Sequence, residues 1–117
     1  MDLQERRVGN TVVLDLKGRL TLGDESTRLK DKINSVLQEG IHDILLNLGN
    51  VSYIDSGGLG ELVSSFATVK RAGGHLKLVN LGKQSRDLLA TTKLLMVFDT
   101  FDTEQEALES FGANKPA

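Results

Sequence analysis

The sequence predicts an α/β fold: one domain on a mixed, mostly parallel sheet of four to five strands with about four helices. Three observations carry this reading. Strand-like apolar runs alternate with stretches of helical period along the chain. Gly9-Asn10 joins two strand-like runs at the start, which marks one antiparallel hairpin. The continuous run Ile44-Leu45-Leu46-Asn47-Leu48 suits a parallel strand covered on both faces, and it leads through a glycine-rich turn into a helix. A chain of 117 residues fits one domain, able to bury about two-thirds of its unfolded surface. Residues 1–112 are assigned to that domain and 113–117 to a C-terminal tail.

The elements follow in order. Leu3 to Val8 is a short, polar edge strand. Gly9 and Asn10 both tolerate positive φ, so both are expected in that region of the hairpin turn. Thr11 to Leu20 alternates, with Val12, Leu14, Leu16 and Leu20 inward and Val13, Asp15, Lys17 and Arg19 outward, as in a half-buried strand. Thr21-Leu22-Gly23 is a loop, and Asp24 is the N-cap expected of the next helix. Leu29, Ile33, Val36 and Leu37 form that helix's apolar stripe, and Gly40 closes it with Ile41 as apolar follower. The second buried strand spans Asp43 to Leu48.

Val51 to Gly60 reads as a strand-to-helix turn with Ser56 at its top. Leu59, Leu62, Val63, Phe66 and Val69 share one face of the helix that follows, which runs to about Ala72 and stops at Gly73-Gly74. His75 to Leu81 is the next strand, Lys83 to Leu94 a helix carrying Leu88, Leu89 and Leu95 inward, and Phe98 to Phe101 a short last strand. Thr103 and Glu106 form a capping box, with Ala107, Leu108 and Phe111 packing the final helix.

Composition narrows the function. A net charge of −2 gives no electrostatic case for nucleic acid or an anionic membrane surface. Cysteine is absent, which removes disulfide and thiolate chemistry and suits a reducing, cytoplasmic setting. No apolar run approaches the ~20 residues of a membrane span, and no signal peptide precedes the first strand.

Chemistry concentrates at Asp55-Ser56-Gly57-Gly58-Leu59-Gly60. In a parallel sheet this turn lies at the carboxyl end of a strand, where α/β sheets place their sites. The Ser56 hydroxyl can cap the free N–H groups of the helix, whose positive end also suits an anion. Asp55 either bonds its own turn or orients the serine. As a nucleophile Ser56 needs a base, but His42 and His75 both start strands at the opposite edge. Ile54 stands where a nucleophile elbow requires glycine. The glycines fit neither a P-loop nor a dinucleotide fingerprint, no cluster has metal-ligand spacing, and no cofactor is expected. Gly60, Glu61, Ser64, Thr68 and Arg71 lie on the outer helix face; small residues at 60, 64 and 68 leave a shallow strip on which a partner could dock.

The hexapeptide resembles the Asp-Ser-(Ser/Thr)-Gly-Leu-Gly signature of STAS domains, the fold of anti-sigma factor antagonists, and departs from it at Gly57. Phe98 to Glu104 and Glu106-Ala107-Leu108 are similar to the family's C-terminal strand and helix. The resemblance implies a STAS-like domain without catalysis of its own. It implies partner switching: the unphosphorylated chain binds an anti-sigma factor that is a serine kinase and releases the sigma factor. Phosphorylation at Ser56 reverses this, and a serine phosphatase resets it. The expected partner surface is Asp24, Asp55, Ser56, Gly57, Gly58, Gly60, Glu61, Ser64 and Thr68, and a weak homodimer stays open. The absence of a membrane span argues against the version of the domain carried by an anion transporter. Two other readings remain: an unphosphorylated STAS scaffold of a sensory complex or lipid-transport ATPase, and a small serine hydrolase.

Overall fold

The computed structural model describes residues 2–21 and 24–113, and the side chains of 2–21 and 28–112. The elements are β1 (Asp2–Val8), β2 (Thr11–Leu20), α1 (Asp24–Gln38), β3 (Asp43–Ile54), α2 (Ser56–Arg71), β4 (His75–Val79), α3 (Lys83–Thr91), β5 (Asp99–Phe101) and α4 (Glu104–Ala113). They form a five-stranded sheet whose spatial order, β1-β2-β3-β4-β5, equals the chain order. The β1–β2 pair is antiparallel and the other pairs are parallel. Right-handed crossovers that step in one direction all pass over the same face of a sheet. Accordingly α1, α2 and α3 cover one face, where Leu14, Leu20, Leu29, Ile33, Leu46, Leu62 and Leu89 form the main core. α4 returns beneath the other face and buries Val13, Leu45 and Val79 against Ala107 and Phe111.

That second layer corrects the reading of β2. Val13 was expected on an open face, yet it is fully buried, because α4 comes from the far end of the chain to cover it. On the same face, two strands away on β4, Lys77 is buried too; its ammonium donates to Ser110 Oγ at 2.9 Å and lies 4.7 Å from the centre of the Phe111 ring. Burial lowers the Lys77 pKa, and Asp99 and Asp43 oppose that shift.

The local stop signals behave as their chemistry requires. Gly40, with φ of +88°, ends α1, with Gly40 N–H donating to Leu37 O and Ile41 N–H to Val36 O. Gly73, with φ of +81°, ends α2 through the same pair of bonds, to Lys70 O and Val69 O. Thr103 accepts from the Glu106 N–H at 3.2 Å and donates to its carboxylate at 2.9 Å, so the α4 cap forms. In the first hairpin Val8 pairs with Thr11 across the expected two-residue turn, but only Gly9 is left-handed (φ +61°) and Asn10 is not.

Other boundaries move. β3 continues past Leu48 to Ile54, so the first four residues of the segment read as a turn, Val51 to Ile54, are strand. β4 ends at Val79, because Asn80 takes the left-handed region (φ 61°) and turns the chain. α3 stops at Thr91 and Lys93 closes it left-handed (φ 63°), earlier than the expected Leu94. β5 begins at Asp99, with Phe98 buried before it. The expected tail at 113–117 and the loop residues Leu22 and Gly23 lie outside the fully described residues.

The edge strand β1 is held by charge. Arg6 donates to Asp15 at 2.5 Å and to Glu104 at 2.6 Å, joining β1, β2 and α4. Asp15 also accepts from Asn47 Nδ2 at 2.8 Å. The Arg6 guanidinium, with help from Asn47, holds the Asp15 carboxyl below its ordinary range against the opposing effect of burial.

Candidate functional site

The site begins where β2 and β3 end together, with Leu20 paired to Ile54. The next amide, Asp55 N–H, donates to Leu20 O at 3.3 Å. Asp55 is extended (φ −97°, ψ −177°), and its Oδ1 accepts from the Gly58 N–H at 2.8 Å. Asp55 is therefore the N-cap of α2, and its carbonyl accepts the first helical bond, from Leu59 N–H at 2.9 Å. This corrects the expectation that Ser56 caps the helix. The side chain one position earlier reaches the orphan amides, and Ser56 becomes the first helical residue, exposed to solvent.

Gly58 explains the glycine at the centre of the turn. A Cβ there would sit 2.0 Å from the Leu20 carbonyl oxygen, so only glycine lets the helix approach the end of β2 this closely. Gly58 is buried and Gly57 half-buried, whereas Gly60 faces open space. Ser56 and Gly60 are thus the exposed points of the turn.

Down the helix, the buried face is Gly58, Leu59, Leu62, Ser65 and Val69, with Phe66 packing edge-on against Phe98 at 5.2 Å. Val63, expected in this stripe, is exposed: at 100° per residue it lies well round from the Leu62–Val69 centre. Ser65 takes the buried place, and its hydroxyl has no hydrogen-bond partner among the described residues. Glu61, Ser64 and Thr68 are half-buried and Arg71 is exposed, so part of the outer strip is sheltered. Thr68 Oγ1 donates to Ser64 O at 3.0 Å, and Glu61 Oε2 is buried without a hydrogen-bond partner among the described residues. Asp24 opens α1, but its side chain, expected at the partner surface, lies outside the described residues.

Two features escaped the sequence reading. Tyr53, exposed on the last stretch of β3, lies under the Arg19 guanidinium, 5.3 Å from ring centre to Cζ. Gln84, from the first turn of α3, bonds the backbone of Ile54. Neither has a local signal, because both depend on register between distant segments. The histidines lie where the topology demands: His42 precedes β3 and His75 opens β4, at the amino ends of parallel strands. β3 runs for 12 residues between that end and Ser56, which at ~3.3 Å each puts them far beyond hydrogen-bond reach.

These features define a class: a small α/β domain presenting an exposed serine at the head of a helix, on a turn capped by Asp55. The chain belongs to the STAS domain family, whose model matches residues 2–107. It is 39% identical over 71 residues to the anti-sigma-B factor antagonist of Bacillus subtilis, covering 61% of this chain and 64% of that one. The chain thus spans just under two-thirds of that relative's length. The crystal structure of a candidate anti-sigma factor antagonist from Thermotoga maritima superposes with a TM-score of 0.87 at 26% identity, over 94% of each chain. The Bacillus cell fate determinant SpoIIAA, solved in its phosphorylated form, shares the fold with a TM-score of 0.73 at 24% identity, over 93% of this chain and 98% of that one. Among the described residues no helix is long and apolar enough to cross a membrane.

Proposed function

We propose that the chain is an anti-sigma factor antagonist that works by partner switching, with Ser56 as phosphoacceptor. The observation that carries this reading is the exposed Ser56 hydroxyl at the first position of α2, on a turn fixed by the Asp55 cap and the Gly58–Leu20 contact. A phosphoacceptor must be reachable by the active site of another protein, and this one is. The helix terminus tolerates the added charge through its free N–H groups and dipole. Relatives named as anti-sigma factor antagonists support the assignment of a role.

In this reading the unphosphorylated chain binds a kinase anti-sigma factor in the cytoplasm through Ser56, Gly57, Gly60 and the strip of Glu61, Ser64 and Thr68. The bound kinase transfers the γ-phosphoryl of ATP to Ser56 Oγ, with the serine proton lost to solvent and ADP as product. The phosphorylated chain then leaves, and a serine phosphatase restores it by hydrolysis. The chain contributes the acceptor and the docking surface, while the kinase supplies the chemistry.

The test is capture of partners from the source lysate with wild type and Ser56→Asp, followed by labelling with the captured kinase and ATP. The expected result is a kinase retained by wild type and lost with Ser56→Asp, and label on Ser56 alone. Label on Ser52, Ser64 or Ser65 would reassign the acceptor. Partners held equally by both forms, without labelling, would favour an unphosphorylated scaffold.

A further inference from the structure

β3 outruns β4. The two pair from Asp43↔His75 to Asn47↔Val79, and there β4 stops as Asn80 turns away. β3 goes on to Ile54, still paired to β2 along its other edge. Its β4-side edge therefore has no strand beside it just where the chain approaches Ser56. At Ile54 that edge is closed by one side chain. Ile54 N–H donates to Gln84 Oε1 at 3.0 Å, and Gln84 Nε2 donates to Ile54 O at 2.9 Å. A primary amide carries both a donor and an acceptor, so it reproduces the pair of bonds that a neighbouring strand would supply.

The position of this clasp matters. Ile54 is buried, the residue after it is the helix cap, and the residue after that is Ser56. On the opposite edge Asp55 N–H is held by Leu20 O. The two peptide units before Ser56 are thus gripped from both sides, by β2 on one and by α3 on the other. Without Gln84 the grip is one-sided, and Ile54 is left with a buried backbone donor and acceptor to satisfy.

We propose that Gln84 is a positioning residue for Ser56: through its two bonds to Ile54 it sets the height and direction of the acceptor hydroxyl toward the kinase. The proposal rests on the reading of Ser56 as phosphoacceptor. Transfer between two proteins depends on holding the acceptor in line, and small displacements of a reacting group cost large factors in rate. Gln84 acts through the backbone and touches neither ATP nor the phosphoryl group.

The test uses the full chain as wild type, Gln84→Ala and Gln84→Glu, with the kinase captured by the wild-type chain. Gln84→Ala should lower kcat for Ser56 phosphorylation at least about tenfold, with KM for the chain changed less than about threefold. Exchange of the Ile54 amide with solvent should quicken about tenfold or more, while the Leu46 amide stays as protected as in wild type, which separates the clasp from global stability. Gln84→Glu keeps size and acceptor but loses the donor when ionised. Its Ile54 and Ser56 amide resonances should titrate together at acid pH, moving toward wild-type positions as the protonated carboxyl regains a donor. Equal kcat in wild type and Gln84→Ala, or an Ile54 amide protected alike in both, would overturn the proposal while leaving the phosphoacceptor reading intact. A wild-type chain that takes no label from the kinase overturns both together.

Discussion

A side-chain carbon on Gly58 would lie 2.0 Å from the carbonyl oxygen of Leu20, inside any contact that real atoms make. The end of β2 and the head of α2 are pressed together at this point, two residues after Ser56. Gly58→Ala should therefore destabilise the domain by about 1–3 kcal/mol or more, because the obstacle is backbone and cannot rotate away. Gly60→Ala, two residues on and facing open space, should instead stabilise by roughly 0.5–1 kcal/mol through helix propensity. Thermal melts of the two variants check the contrast; equal behaviour would contradict the close approach at Gly58.

Asp55 holds the helix start by a single bond to Gly58 N–H. Asp55→Ala should cost about 1 kcal/mol, within the 0.5–2 range of lost caps, and Asp55→Asn should cost much less because it keeps an acceptor oxygen. Urea unfolding measures both. If Asp55→Asn were as damaging as Asp55→Ala, the carboxylate charge would matter more than the cap geometry.

The Arg6–Asp15 pair predicts an acid limb in stability. Asp15 has its pKa lowered in the fold, first by the Arg6 hydrogen bond and also by Asn47. A carboxyl with a depressed folded pKa contributes stability above its unfolded value, ~3.9, and loses that contribution as pH falls through the folded value. Stability should decline as pH drops below about 4, and Asp15→Asn should flatten this part of the decline while lowering stability near neutrality. Denaturant midpoints from pH 2 to 7 in both proteins decide it; parallel slopes would remove Asp15 from the acid response.

Phosphorylation of Ser56 should act locally. The phosphate adds about −1.5 to −2 charges. Meeting the helix terminus stabilises by ~0.3–1 kcal/mol when exposed, and the neighbouring Asp55 carboxylate opposes part of this. The fold should barely change in stability, whereas a partner fitted closely around Ser56 and Gly60 must accommodate a dianion. Amide shifts should cluster from Asp55 to Leu62 and around Leu20, and kinase affinity should fall at least about tenfold, or ~1.4 kcal/mol. Shifts spread through β1 and α4 would mean a global switch instead.

The sequence by itself determined the element order, the opening hairpin, the parallel strands, the helix stops at Gly40 and Gly73, and the Thr103–Glu106 cap. Each is encoded within a few residues, by periodicity, by a side chain reaching its own backbone, or by the φ that glycine permits. The Ser56 turn was legible for the same reason. The tertiary structure alone decided which side chain caps α2, since Asp55 and Ser56 both have suitable oxygens and only the path imposed by Leu20 makes Asp55 the one that reaches Gly58. It decided that Val13 is buried, because α4, which covers it, comes from the far end of the chain. It also decided that β3 outlasts β4 and that Gln84, 30 positions away, completes the backbone pairing of Ile54. Hydrogen bonds across a sheet edge depend on register and not on neighbours in sequence, so no local pattern announces them.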